Sequence, residues 1–230
     1  MDFSCYPNPK VCNMSQEPLR IDIISDVMCP WCIIGYRQLE QALKDTGTPH
    51  EIHWHPFELN PDMPADGQNM REHIIEKYGS TPEQSAQSRA QMTQLGEELG
   101  FAFDFADDMR MHNTFATHQL LHWAGEQDRK QDMKLALFTA HFTNRRDLSD
   151  ISVLADVAGE IGLDREEALA VLTDGRFADA VREQEQFWMQ RGIRGVPAAV
   201  FDKQHLVTGA QGVENYTSIL GQLTKVQAAE

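Results

Sequence analysis

Cysteine is scarce in this 230-residue sequence, four in all, which is too few for the disulfide framework of a small secreted scaffold. No run approaches the ~20 apolar residues that span a bilayer. The opening stretch MDFSCYPNPKVCNMSQEPLR has neither a basic region leading into an apolar core nor a small-residue cleavage site. Basic side chains are outnumbered 20 to 35, a formal charge of −15, and a surface that negative repels phosphate backbones. These absences argue against nucleic acid and membrane partners and predict a cytoplasmic chain. Internal repeats, low-complexity tracts and flexible linkers are also missing. With 41% hydrophobic residues the chain has enough apolar surface for one large core, read as one domain carrying an insertion.

What is present is organised in three blocks. Leu19 to Asp26 (LRIDIISD) is a short isoleucine-rich run suited to a largely buried strand. From Pro30 to about Lys44, apolar residues at Ile33, Ile34, Leu39, Ala42 and Leu43 fit a helix, with Pro30 tolerated in its first turn and Gly47 beyond its end. His50 to Leu59 then reads as a second strand, parallel to the first, which makes a βαβ unit. Beyond the loop NPDMPADG the composition turns helical, with helices predicted at 70–78, 82–99, 113–127, 131–142, 149–161 and 165–172. A long helix over 177–191, short strands at Ala198–Phe201 and His205–Thr208, and a last helix to about Leu223 close the chain. The order predicts an α/β thioredoxin fold with a large all-helical insertion between its βαβ and αββα halves. Its parts are a tail at 1–18, the thioredoxin-like domain at 19–60 and 174–230, and the insertion at 61–173.

The junction of first strand and first helix reads DVMCPWCIIG. Cys29 and Cys32, at i and i+3 on one side of a helix start, can approach within bonding range without backbone movement. The free N–H groups and positive dipole end there stabilise a thiolate, so Cys29 is expected to have the lowered pKa and to act as nucleophile, with Cys32 as the resolving thiol. Pro30 fixes the backbone between them and Trp31 shields the pair. Inert buried cysteines and a zinc half-site are the alternatives; zinc would need two more ligands, and Cys5 and Cys12, separated by six residues, do not have knuckle spacing. Downstream, RGIRGVP places a proline at the opening of the strand Ala198–Phe201, where a proline is unusual. In this topology the Val196–Pro197 bond is predicted to be cis and to face the cysteines, with Val196 offering its backbone to an extended substrate.

The stretches SDVMCPWCIIGYRQLE, HWHPFELNPDMPADG, HNTFATHQLLHWA, RGIRGVPAAVFD and TGAQG together resemble the FrnE-like branch of the DsbA family of thiol:disulfide oxidoreductases. That branch is similar to 2-hydroxychromene-2-carboxylate isomerases and kappa-class glutathione transferases. The resemblance runs from about Ile21 to Leu223. It implies a thioredoxin fold, Cys29 and Cys32 as the redox pair, Pro197 as the cis proline, and glutathione or substrate contacts around Asn60, Val196, Ala210 and Gln211. Protein or small-molecule thiols and disulfides are the implied partners, glutathione is a co-substrate, no cofactor or metal is called for, and the protein works as a monomer or homodimer. Periplasmic members have Cys-Pro-His-Cys; the tryptophan here removes a thiolate-stabilising partner and argues against a strongly oxidising potential. The isomerases commonly have serine at the position of Cys29, so retention of both cysteines favours thiol–disulfide exchange, with a glutathione-dependent isomerase as the alternative.

Weaker candidates remain. Cys5 and Cys12 are either a second redox pair or part of a leader preceding a start at Met14, the preferred reading. Asp26 either takes the proton from Cys32 or is a strand-end residue facing water. His118 and His122 share a helix face without further nominated ligands, while His53 and His55 share a strand face that could border a cleft. Phe115, Leu120, Leu121 and Trp123 are expected to form the core of the insertion.

Overall fold

A computed structural model of the chain describes residues 17–227; Cys5 and Cys12 lie outside the described residues. Strand β1 (Leu19–Ser25) leads through the cysteine turn into helix α1 (Pro30–Thr46), and β2 (His50–Pro56) follows. Helix α1 forms as the sequence predicts: Pro30 sits where a missing N–H costs nothing, and Gly47 takes the left-handed conformation at φ 63° that ends it. Its buried face, including Ile33, Ile34, Leu39 and Leu43, lies against the sheet and α9 (Val213–Gln227).

The returning half consists of α8 (Ala178–Gln190), β5 (Ala198–Phe201), β6 (His205–Thr208) and α9. The sheet order is β2-β1-β5-β6. β1 runs parallel to β2, with Ile23 opposite Trp54, and antiparallel to β5, with Ile24 opposite Ala198. β2 stops at Pro56, short of the predicted Leu59, because residues beyond it turn in to bond Asp26.

Between the halves lie helices α2 (Met70–Tyr78), α3 (Pro82–Glu98), α4 (Phe115–Gly125), α5 (Lys130–Phe142), α6 (Ile151–Glu160) and α7 (Arg165–Asp174). The sequence reading missed a small antiparallel pair, β3 (Gln68–Asn69) with β4 (Arg110–Met111), which ties the entrance of α2 to the segment ahead of α4. The insertion does not form a separate body. One contiguous core runs from Ile21, Ile33 and Leu39 through Leu120, Phe138 and Leu154 to Val171. Leu120, Leu121 and Trp123 are buried in it, but Phe115 is not fully so and lies instead under the Arg182 guanidinium at 3.7 Å. This shared core brings α2, α3 and α5 against the cysteine turn.

Candidate active site

Cys29 occupies the cap position of α1 with extended backbone, φ −97° and ψ 107°, and its carbonyl accepts from the Cys32 N–H at 3.0 Å. The two residues lie 3.3 Å apart and are unbonded thiols in this structure. Cys29 is 4% exposed and Cys32 1%. The difference matters because Cys29 lines a cavity of about 350 Å³ together with Pro30, Trp31 and Val196, and Cys32 does not. Trp31 is 37% exposed, so it walls the cavity at the surface and does not seal the pair from water.

The Val196–Pro197 peptide bond is cis. The Cys29 thiol donates to the Val196 carbonyl at 3.7 Å, and the Pro197 carbonyl accepts from the Gly209 N–H at 2.8 Å, which fixes this loop to the end of β6. Gly35 on α1 faces the same loop: a Cβ there would stand 3.4 Å from the Pro197 ring and 3.5 Å from Ala210. These are ordinary contact distances, so α1 packs directly on the loop at this point and a small side chain would be accommodated.

Behind the pair is a buried polar cluster. Asp26 is 1% exposed; its carboxylate accepts from the Met28 N–H at 3.2 Å, the Leu59 N–H at 2.7 Å and the Thr114 hydroxyl at 3.2 Å. The alternative of a residue facing water is therefore overturned. Burial pushes the Asp26 carboxyl above its ordinary value, opposed by those bonds and by Lys134. Lys134, on α5, is 1% exposed, donates to the Ser25 carbonyl at 3.3 Å and stands over the rings of Trp54 and Phe138. Burial lowers it to about 8, against the raising influence of Cys32, Asp26 and Cys29. Sequence reasoning missed this cation, although Lys134, Leu137, Phe138 and His141 repeat at the spacing of one helix face and all four are buried.

The charge on the pair differs from expectation. The hydrogen bond to Cys32, ahead of burial, holds the Cys29 thiol well above its ordinary value. Cys32 moves the other way: burial raises it, but the hydrogen bond from Cys29 and the Lys134 ammonium outweigh burial and lower it. A helix end alone would favour Cys29. The hydrogen bond from Cys29, and behind it the buried Lys134 ammonium, turn the preference for negative charge toward Cys32, while access to the cavity belongs to Cys29.

Of the other nominated residues, Asn60 reaches the cavity of Cys29. Its side-chain oxygen accepts from Lys77 Nζ at 2.6 Å and lies 3.0 Å from His73 Nε2. Ala210 and Gln211 do not line that cavity. Ala210 packs at Gly35, and the Gln211 amide donates to the Thr208 carbonyl at 2.6 Å. His118 and His122 border one small cavity but have different partners: His118 Nε2 lies 3.1 Å from the Phe57 carbonyl, and the His122 ring packs tilted against Phe177. His55 is bonded to Asp22 at 2.8 Å and lines a separate cavity beside Trp188.

These features agree with known proteins. The family model of the DSBA-like thioredoxin domain matches residues 20–221. A probable DsbA oxidoreductase from Streptomyces coelicolor superposes with TM-score 0.82 at 34% identity, covering 89% of this chain and 89% of that one. Two more distant structures share the fold. A 2-hydroxychromene-2-carboxylate isomerase has TM-score 0.68 and 15% identity over 91% of this chain and 98% of its own. The cytosolic disulfide reductase DsbM from Pseudomonas aeruginosa, solved with GSH, has TM-score 0.62 and 15% identity over 90% and 99%. The chain belongs to the DSBA-like thioredoxin domain family.

Proposed function

We propose that the chain is a cytoplasmic thiol:disulfide oxidoreductase of the FrnE-like kind, with Cys29 as the attacking sulfur and Cys32 as the resolving one. The observation that carries this reading is the placement of two thiols 3.3 Å apart with only Cys29 lining the cavity. Attack begins with the proton of Cys29 moving to Cys32 along their shared hydrogen bond, so that the single charge of the pair passes to the accessible sulfur. The Cys29 thiolate then attacks one sulfur of a substrate disulfide, the substrate S–S bond breaks, and the leaving thiolate takes up a proton. The mixed disulfide lies against the Val196 carbonyl and Pro197, with extended substrate held by the backbone of Val196. Cys32 gives its proton to the buried Asp26, displaces the second substrate thiol and closes the Cys29–Cys32 disulfide. Two electrons have moved from the pair to the substrate, and the reverse sequence oxidises a dithiol. Lys134 steadies the negative charge that the pair carries between these steps.

The DsbM structure with GSH supports glutathione as a co-substrate here, with Asn60 and Val196, which line the cavity of Cys29, as its contacts; Ala210 and Gln211 stand away from that cavity. The scheme needs no organic cofactor or metal, and either a monomer or a homodimer can perform it. The shared fold of the isomerase favours a second reading, a glutathione-dependent isomerase. Replacement of Cys32 by serine separates the two. An oxidoreductase with Cys32→Ser accumulates a stable mixed disulfide on Cys29 and loses turnover, whereas unimpaired isomerisation of 2-hydroxychromene-2-carboxylate by that variant would support the second reading and sink the first.

A further inference from the structure

The cavity beside Cys29 carries charge that the exchange chemistry does not use. One wall comes from the redox turn and Val196; the opposite wall comes from α2 and α3 of the insertion. Its apolar part includes Met70, Ile74, Met92 and Phe105, and at about 350 Å³ it has the size of a small-molecule site. Arg71 and Arg89 also line it. Both depend on a single carboxylate, Asp107, at 2.9 Å from Arg71 and 4.0 Å from Arg89, and Asp107 is 78% exposed. The Arg89 side chain is 18% exposed and has no nearer ionic partner among the described residues. Two guanidiniums facing one solvent-exposed carboxylate leave about one positive charge uncompensated, half-enclosed, in a chain of net charge −15. A guanidinium in such a place is suited to fork-like pairing with a carboxylate.

We propose that this cavity selects low-molecular-weight disulfides bearing a carboxylate, which pairs with Arg89 and Arg71 while the apolar body rests on Met70, Ile74 and Met92. The inference rests on the oxidoreductase reading and names its substrate class. In the reaction one RSSR is reduced to two RSH as the two protein thiols become one disulfide. Cys29 forms the first new S–S bond with release of RSH, and Cys32 forms the second with release of the other.

The test uses the reduced full-length protein and three symmetric probes: 3,3′-dithiodipropionic acid (anionic), 2-hydroxyethyl disulfide (neutral) and cystamine (cationic). Each exchange rate is divided by that of dithiothreitol with the same probe, which removes intrinsic reactivity. The anionic probe is expected to exceed the neutral one about tenfold, equivalent to ~1.4 kcal/mol, with cystamine slowest. Arg89→Met is expected to collapse that ratio toward one, and Arg89→Glu to turn it in favour of cystamine. Arg165→Met, remote on α7, should keep the wild-type ratio, which controls for net charge. Thermal melting of each variant checks folding, and Arg89→Lys, which keeps the charge but loses the fork, should retain part of the preference. Equal normalised rates for all probes, or an anionic preference untouched by Arg89→Glu, would overturn the proposal while leaving the redox pair standing. Failure of every probe to form the Cys29–Cys32 disulfide would instead remove the oxidoreductase reading on which it rests.

Discussion

Lys134 offers the sharpest test of the electrostatics, because a charged ammonium 1% exposed costs stability in a way that titrates. Its pKa falls from 10.5 to about 8 in the folded protein. A depressed folded value means that the unfolded chain binds the proton more tightly. Stability therefore rises with pH between about 8 and 10.5, and the penalty is fully present at pH 7. A shift of that size corresponds to about 3 kcal/mol. Lys134→Met keeps the length of the side chain and removes the charge, at a cost of roughly 1 kcal/mol for the Ser25 carbonyl left without its donor. The variant should be more stable than its parent by about 2 kcal/mol at pH 7, with the advantage disappearing as pH approaches 10.5. The experiment is urea unfolding from pH 6 to 10.5 in a Cys29→Ser/Cys32→Ser background, where neither active-site thiol titrates. Removing the cysteines also removes their raising influence on Lys134, so the depression there is at least as large. A stability difference independent of pH across that range would mean that Lys134 is hydrated in the fold, and the influence assigned to it on Cys32 would fail with it.

Asp26 should show the opposite slope. Its raised folded pKa contributes stability at pH below the ordinary carboxylate value, and that contribution is lost as pH rises through the folded one; Asp26→Asn should abolish this slope, as followed by denaturant midpoints from pH 3 to 8. Leu120, 0% exposed on α4, which packs against α5 and α7 of the insertion and α8 of the returning half, should cost about 2–5 kcal/mol when replaced by alanine, with a single unfolding transition; two transitions would show that the insertion folds on its own. Asn69 caps α2 by accepting from the N–H groups of Arg71 and Glu72. Asn69→Ala should cost about 1 kcal/mol and raise amide exchange in α2 while leaving α4 protected.

How much could be read from the sequence follows from how local each signal is. The strand–cysteine–helix junction was legible because Ile21 to Ser25 and Ile33 to Leu43 carry their own periodicities, and Pro30 and Gly47 punctuate α1. Helices of the insertion were legible for the same reason. The β3–β4 pair was not, since Gln68, Asn69 and Arg110 have no strand pattern and pair only because α2 and α4 are already placed. The two thiols were found from their spacing, but the sign of their charge asymmetry depends on the hydrogen bond between them and on Lys134, more than a hundred residues away in the chain. A lysine in a helix reads by default as a solvated side chain; only its position on the apolar face of α5 marked it. Arg71 and Arg89 are ordinary arginines in sequence, and their shared dependence on Asp107 exists only once α2 and α3 are docked.

The most direct test of the account is a glutathione redox titration of the purified protein, with free thiols alkylated and Cys29 and Cys32 counted by mass at each ratio. A reversible loss of both alkylation sites together, with the midpoint read against a cytosolic poise of about −220 to −320 mV, is the predicted result. A pair that stays reduced across the range, or that carries only glutathione, would contradict it.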